Sequence, residues 1–214
     1  MNQVVSLLRH GVAGMGLSLP AAAMDQLANY LHLLVKWNRV YNLTAIRDEA
    51  KLVSHHVLDS LAVVRHLPDG SIVDVGSGAG LPGIPIAISC PGRVVALLDS
   101  NHTKAAFLRQ AVAELGLATT QVVIERVETY QPPELFKTVI SRAFSDLADF
   151  VKLAGHLSAP DGVMIAMKGL HPDEEMTRVP SSWEVTKTVR LEVPRLEASR
   201  HLVFLRPTST IVPN

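Results

Sequence analysis

The sequence predicts an α/β fold: a mostly parallel seven-stranded sheet ending in an antiparallel hairpin over residues 67–214, preceded by a helical extension over 1–66. Three observations predict it. From Ser71 onward, short runs rich in β-branched residues alternate with segments of helical period, which is the pattern of a parallel sheet covered on both faces. Before Ser71 only helical spacing occurs. The last two strand-like runs, Trp183 to Val193 and His201 to Arg206, are joined by Pro194-Arg195-Leu196-Glu197-Ala198-Ser199-Arg200, which leaves no room for a crossover helix.

In the helical third, Ser18-Leu19-Pro20 supplies a cap and a first-turn proline, and Met24, Leu27, Tyr30, Leu31, Leu34 and Val35 follow at helical spacing to about Trp37. The stretch Asn38 to Thr44 breaks the period. Leu52, Val53, Val57, Leu61 and Val64 resume it as far as His66. In the sheet region the strands are Ile72 to Val75, Val94 to Leu98, Val122 to Ile124, Thr138 to Ile140 and Val163 to Met167, then the hairpin pair. The intervening helices are Leu81 to Ser89, Lys104 to Leu115 and Asp146 to Leu157.

Composition narrows the function classes. With 48% hydrophobic and 19% charged residues the chain is an ordinary globular protein. No apolar run approaches the roughly 18 residues of a membrane span, and Met1 to Leu19 lacks the pattern of a secretory leader, so a cytoplasmic protein is expected. The formal net charge is zero, so a nucleic-acid substrate would have to be held by a local basic patch. Cys90 is the only cysteine; it forms no intramolecular disulfide and reads as a small buried residue rather than a nucleophile.

The most informative stretch is Ile72-Val73-Asp74-Val75-Gly76-Ser77-Gly78-Ala79-Gly80-Leu81-Pro82-Gly83, where the first strand meets the first helix. Glycines there let a ligand approach the backbone, and a following helix directs free N–H groups at it. Two registers compete: Gly76-x-Gly78-x-Gly80 as a methyltransferase loop, and Gly78-x-Gly80-x-x-Gly83 as a dinucleotide fingerprint. The first is favoured because the strand stops at Val75, Asp74 lies just before the turn, and Pro82 and Pro85 suit the first turn of a helix. Asp99 ends the second strand 23 positions after Gly76, where a carboxylate can accept from two ribose hydroxyls. Arg126, Val127 and Glu128 follow the third strand, positioned to border an adenine, against the alternative of a surface loop. A parallel core finished by a hairpin is also the sheet of class I, Rossmann-like methyltransferases, whereas dinucleotide dehydrogenases usually finish with parallel strands.

In this order the chain carries Trp37-Asn38-x-x-Tyr41-Asn42-Leu43-Thr44, His56-x-Leu58-Asp59-Ser60-Leu61, the glycine segment through Pro85, Ile140-Ser141-Arg142-Ala143-Phe144 and Met167-Lys168-Gly169. With these blocks it resembles the RsmG (GidB) family, bacterial enzymes that methylate a guanine N7 in 16S ribosomal RNA, from about Leu19 to Leu205. The resemblance implies S-adenosylmethionine as cofactor and Gly76, Leu81, Val127, Glu128 and Arg142 at its binding positions, with Asp99 similar to the family's ribose carboxylate. Asp74, Gly78 and Gly80 complete the expected cofactor set. It further implies 16S ribosomal RNA as partner, in the 30S subunit or free. The chain departs from the family at His55, where an arginine often stands, and at His102-Thr103, where glycine and lysine are common.

Guanine N7 has a lone pair and no proton, so methylation there needs alignment rather than a general base. Alignment can contribute about 7 to 11 kcal/mol, against about 10²–10⁴-fold for acid–base catalysis. Arg142, at the end of the fourth strand, is the first candidate for the active site, with a fork suited to guanine O6, a phosphate or the cofactor carboxylate; Lys168, at the end of the fifth, is the second, as a point charge for phosphate against the alternative of a solvated strand end. Lys36, Arg39, Arg47, Lys51, His55, His56 and Arg65 put positive charge in the helical third. Arg39, Arg47, His55 and His56, with Lys104, are candidates for RNA contact, against the alternative of a solvated face. Asp59 lies three residues from His56 and four from His55, as a structural pair or a site, and the three do not compose a metal site. Trp37 and Tyr41 read as core packing before base stacking. A monomer is expected, since a bulky RNA must reach the crevice. The rival functions are a methyltransferase acting on a small molecule or protein, a NAD-dependent oxidoreductase and a noncatalytic RNA-binding protein.

Overall fold

The computed structural model describes residues 2–142, 144 and 146–208. The chain is helical as far as His66: α1 (Asn2–Gly14), α2 (Ala21–Tyr41), α3 (Glu49–Leu52), a π-helical turn (Val53–Leu58), α4 (Asp59–Leu61) and a 3₁₀ turn (Val64–His66). The sequence reading placed no element before Ser18, yet α1 is there. It is carried by Leu8 and Val12, four apart and buried, so packing rather than end signals makes this helix. α2 begins at Ala21, with Pro20 in the capping position.

α2 also runs to Tyr41, past its expected end near Trp37. Asn38 does not break it: the buried amide accepts from the Thr44 N–H at 2.9 Å and donates to the Ile46 carbonyl at 3.3 Å. The polar residue that interrupts the apolar period thus anchors the following loop, and Asn42 closes the helix in the left-handed region at φ 51°.

Seven strands, β1 (Ile72–Val75), β2 (Val95–Leu98), β3 (Thr120–Val123), β4 (Phe136–Ser141), β5 (Ser158–Lys168), β6 (Trp183–Leu191) and β7 (Arg200–Pro207), form one sheet in the order β3-β2-β1-β4-β5-β7-β6. The first five are parallel, while β7 pairs antiparallel with both β5 and β6, as the short connection required. The remaining helices are α5 (Gly83–Ser89), α6 (His102–Glu114), α7 (Leu147–Ala154) and α8 (Asp173–Thr177).

Strand alternation sorts the core into two layers. Ile72, Leu97, Ile140 and Ile165 pack under α1 to α6, and Val73, Leu98, Val139 and Met164 pack under α7. The strand order reverses between β1 and β4, so the crevice at their carboxyl ends is where a doubly wound sheet binds its ligands. The helices before His66 pack on one face and wall that crevice on one side. Among the described residues no helix is long and apolar enough to cross a membrane.

Candidate active site

β1 stops at Val75, and Gly76 is the first turn residue; its N–H and that of Ser77 donate to the Leu98 carbonyl at 2.8 and 3.1 Å. Gly76, Gly78 and Gly80 all take positive φ, at 72°, 57° and 85°. That is the spacing of the favoured register, and residues with a Cβ seldom adopt it. α5 starts at Gly83, not at Leu81 as expected, so Pro82 holds the capping position and only Pro85 lies in the first turn.

Asp74 is not at the crevice. It follows Ile72 by two positions and shares its face of the sheet, which puts its carboxyl beneath α5, fully buried. There Oδ2 accepts from the Gly83 N–H at 2.8 Å, while Oδ1 has no hydrogen-bond partner among the described residues. Burial pushes its pKa up to about 7. Gly80 is likewise a packing position, because a Cβ there would collide with Ile84 and crowd Leu108 at 3.1 Å. Both expected cofactor residues therefore shape the loop from behind.

Asp99 stands at the crevice and is tied to the loop. Its Oδ2 accepts from the Gly78 N–H at 2.9 Å and its Oδ1 from the Asn101 N–H at 2.8 Å. With Gly76, Val127, Glu128 and Phe144 it lines a hollow of about 250 Å³ beyond β1 and β2. Glu128 is at the mouth, in a loose ion pair with Arg126 at 3.8 Å. A second hollow continues from Gly76 along Gly78 and Leu81 to Thr44, His56 and Arg142. His56 is buried and its Nε2 lies 2.8 Å from Thr44 Oγ1. Burial first, and then the Arg142 charge, lowers its pKa to about 4, so it is neutral at pH 7 and adds no positive charge.

Arg142 and His56 also line a third hollow, with Asp59, Lys168, His55 and Arg200. Within the π-helical turn the His55 carbonyl accepts from Arg142 Nη1 at 3.2 Å. Asp59, 1% exposed, is shared: Oδ2 lies 3.4 Å from Arg142 Nη1 and Oδ1 3.0 Å from Arg200 Nε. Burial pushes the Asp59 carboxyl up and the two guanidiniums oppose it. Lys168 lies at this edge as expected, but it is 8% exposed and its Nζ is 2.6 Å from Glu175 Oε2 and 3.1 Å from the Phe144 carbonyl. A buried pair of this kind is a structural clamp more than a free point charge.

The basic wall expected in the helical third is discontinuous. Arg39 and Lys36 border a separate groove between α1 and α2. Arg47 is spent on Asn42 Oδ1 at 2.7 Å, and Arg65 on the Gly16 carbonyl. Lys104 lies in the first turn of α6, its N–H capped by Asn101 at 3.0 Å, and lines none of the three hollows. Only His55 and His56 of the expected RNA set reach the crevice. Trp37 packs on Phe107 at 5.7 Å, as its core reading anticipated, whereas Tyr41 departs from that reading: it is 49% exposed and lies against Trp37 at 5.1 Å.

Arg200 was missed because the sequence places it in the hairpin connection, where periodicity says nothing, whereas it is the first residue of β7. Its signal is register: Lys168 pairs with His201, which puts Arg200 beside the end of β5. Tyr30 was read as a core residue, and its hydroxyl proves to hold the glycine loop.

A family model for GidB, rRNA small subunit methyltransferase G, matches residues 23–203. The chain belongs to that family. It is 54% identical over 197 residues to ribosomal RNA small subunit methyltransferase G of Chromobacterium violaceum, covering 92% of this chain and 94% of the relative. It is 52% identical to that of Laribacter hongkongensis, with 92% and 96% covered, and 50% identical to that of Nitrosococcus oceani, with 94% of each covered.

GidB membership agrees with the fold. TrmN from Thermus thermophilus superposes with a TM-score of 0.55 at 17% identity, over 69% of this chain and 48% of that one. The ribosomal protein L11 methylase of Lactobacillus delbrueckii gives 0.53 at 13% identity, over 70% and 76%. The fold is that of Rossmann-like methyltransferases, and family and fold together answer the expectation of S-adenosylmethionine as cofactor. An rRNA methyltransferase takes precedence over the dehydrogenase, small-molecule and noncatalytic readings.

Proposed function

We propose that this GidB-family protein transfers a methyl group from S-adenosylmethionine to N7 of a guanine in 16S ribosomal RNA, by in-line displacement and without a general base. The observation that carries the reading is Arg142, which walls both the hollow beside the glycine loop and the cationic hollow next to it. A donor in the first and a base in the second would meet at this side chain.

The residues present fit the cofactor. Asp99 spends one acceptor direction of each oxygen on the backbone and keeps the other for ribose hydroxyls. A Cβ on Gly78 would stand in open space, its nearest neighbour Gly76 O at 3.8 Å, so the crevice passes against bare main chain. Val127 and Glu128 would border the adenine, and Gly76 and Leu81 would flank the rest. When bound, the group supplies an electrophilic methyl on a sulfonium.

This chain's own residues supply alignment. His56 is bonded to Thr44 and Asp59 to two arginines, so neither is set to take a proton; guanine N7 has none to give. Arg142, in the wall common to the two hollows, fixes where the strand that carries the base stands against the donor. Lys168 acts through Glu175, which also accepts from the Leu147 N–H at 3.0 Å and so ties Lys168 to the start of α7. The helices up to His66 act as an extension that closes the crevice over the base, and the enzyme works as a cytoplasmic monomer on the 30S subunit.

The test is to map 7-methylguanosine in 16S RNA from cells with and without the protein by reduction and aniline cleavage. One cleavage site that depends on the protein is expected; identical patterns would refute the reading. Free 16S RNA and 30S subunits offered side by side identify the form accepted.

A further inference from the structure

The third hollow holds more positive charge than its own ion pairs consume. Lys168 is met by Glu175, whereas Arg142 and Arg200 share a single carboxylate, Asp59. One positive charge is therefore left over. The donors are left over as well: Arg142 spends Nη1 on His55 and Asp59, and Arg200 spends Nε on Asp59 and Nη1 on the Ser199 carbonyl at 2.9 Å. Nε and Nη2 of Arg142 and Nη2 of Arg200 have no acceptor among the described residues. Both side chains reach the surface of the hollow, at 28% and 22% exposure, while the carboxylate between them is closed off at 1%.

We infer that Arg142 and Arg200 form a subsite for one phosphodiester of the RNA strand beside the target base, with Asp59 as the residue that positions the pair. A phosphodiester carries the single negative charge that the hollow lacks, and its two free oxygens suit two guanidinium edges held at a fixed separation. Asp59, bonded to one nitrogen of each arginine, sets that separation from below. The inference rests on an RNA substrate and adds where its backbone is gripped.

The test is binding of 16S ribosomal RNA across a series of salt concentrations. Arg200→Ala is expected to weaken binding and reduce the slope of log K against log salt by about 0.7 to 0.9, the share of one phosphate. Its affinity for S-adenosylhomocysteine should be unchanged. Asp59→Asn separates positioning from charge. Removing a negative charge would by itself tighten RNA binding, whereas loss of positioning weakens it and raises KM for RNA with the affinity for S-adenosylhomocysteine retained. That affinity also reports whether the variant has folded. The double variant should be no worse than Arg200→Ala, since both remove one device.

An unchanged salt slope in Arg200→Ala, or tighter RNA binding in Asp59→Asn, would overturn the subsite. Loss of S-adenosylhomocysteine affinity in Arg200→Ala would make the occupant the cofactor's carboxylate and overturn it equally. Failure of the unmodified protein to bind 16S RNA would instead count against the RNA substrate.

Discussion

The Tyr30 hydroxyl donates to the Ala79 carbonyl at 2.7 Å, across 49 positions of sequence, and so ties α2 to the middle of the glycine loop. Tyr30 is fully buried, and burial pushes its phenol far above the ordinary value, so it stays a donor throughout the physiological range. Gln26, one turn earlier, donates to the Leu115 carbonyl at 2.7 Å and fastens α2 to the end of α6. The helices that precede the sheet thus hold the crevice in shape as well as covering it.

Tyr30→Phe keeps the ring and removes only the donor. The Ala79 carbonyl then loses a buried partner, at a cost of about 1 to 3 kcal/mol, and the loop loses its outer tether. Lower stability in urea together with weaker S-adenosylhomocysteine binding is expected. Weaker binding at unchanged stability would mean that the tether orders only the loop; no change in either would mean that it orders nothing.

Asp74 and His56 give stability opposite dependences on pH. The Asp74 pKa is raised from 3.8 to about 7, so between those values the folded state holds a proton that the unfolded state has lost, and stability falls as pH rises. The His56 pKa is lowered from 6.5 to about 4, so the unfolded state binds more protons in that window and stability rises with pH. The two offset each other between about 4 and 6.5. Asp74→Asn should unmask the histidine. The difference in unfolding free energy, variant minus wild type, should climb from pH 4 and level off near pH 7. A flat difference across that range would show that Asp74 does not titrate there.

Much of this was legible in the sequence, for identifiable reasons. Short β-branched runs marked the five parallel strands because a buried parallel sheet demands them, and the brief connection after Val193 dictated the antiparallel pair at the end. The glycine loop was legible because only glycine tolerates its backbone. Three kinds of feature were not. α1 lacks end signals and exists through tertiary packing. Asp74 and Gly80 fall inside the motif yet face away from the crevice, since which side of a strand or turn a residue presents depends on what packs there. The Arg142, Asp59 and Arg200 cluster joins three distant segments, and nothing in local spacing announces such a meeting.

The two inner glycines of the loop should separate stability from binding. Both have positive φ, so alanine strains either one, by roughly 1 to 2 kcal/mol. At Gly80 the added methyl also runs into Ile84 and Leu108, and Gly80→Ala should show a large fall in melting temperature. At Gly78 the methyl enters open space beside the crevice, so Gly78→Ala should melt only slightly lower yet bind S-adenosylhomocysteine much more weakly. The reverse pattern would mean that the loop faces the other way.

Asp99 receives the loop through its carboxylate, and the same group is the one proposed for the ribose. Removing it in Asp99→Ala leaves the Gly78 and Asn101 N–H groups without acceptors and takes away the hydroxyl partner, so binding of S-adenosylhomocysteine should weaken by about 1.5 to 3 kcal/mol. Asp99→Asn distinguishes the two duties. Its amide has one oxygen, enough for a single backbone donor, and its NH₂ opposes the other N–H while still able to meet a hydroxyl oxygen. If holding the loop dominates, Asn should be nearly as weak as Ala in calorimetry, and both should lose stability without ligand. If the ribose contact dominates, Asn should recover much of the affinity, and a donor lacking ribose hydroxyls should bind wild type and Asp99→Ala alike. Full wild-type affinity in Asp99→Ala would remove Asp99 from the site altogether.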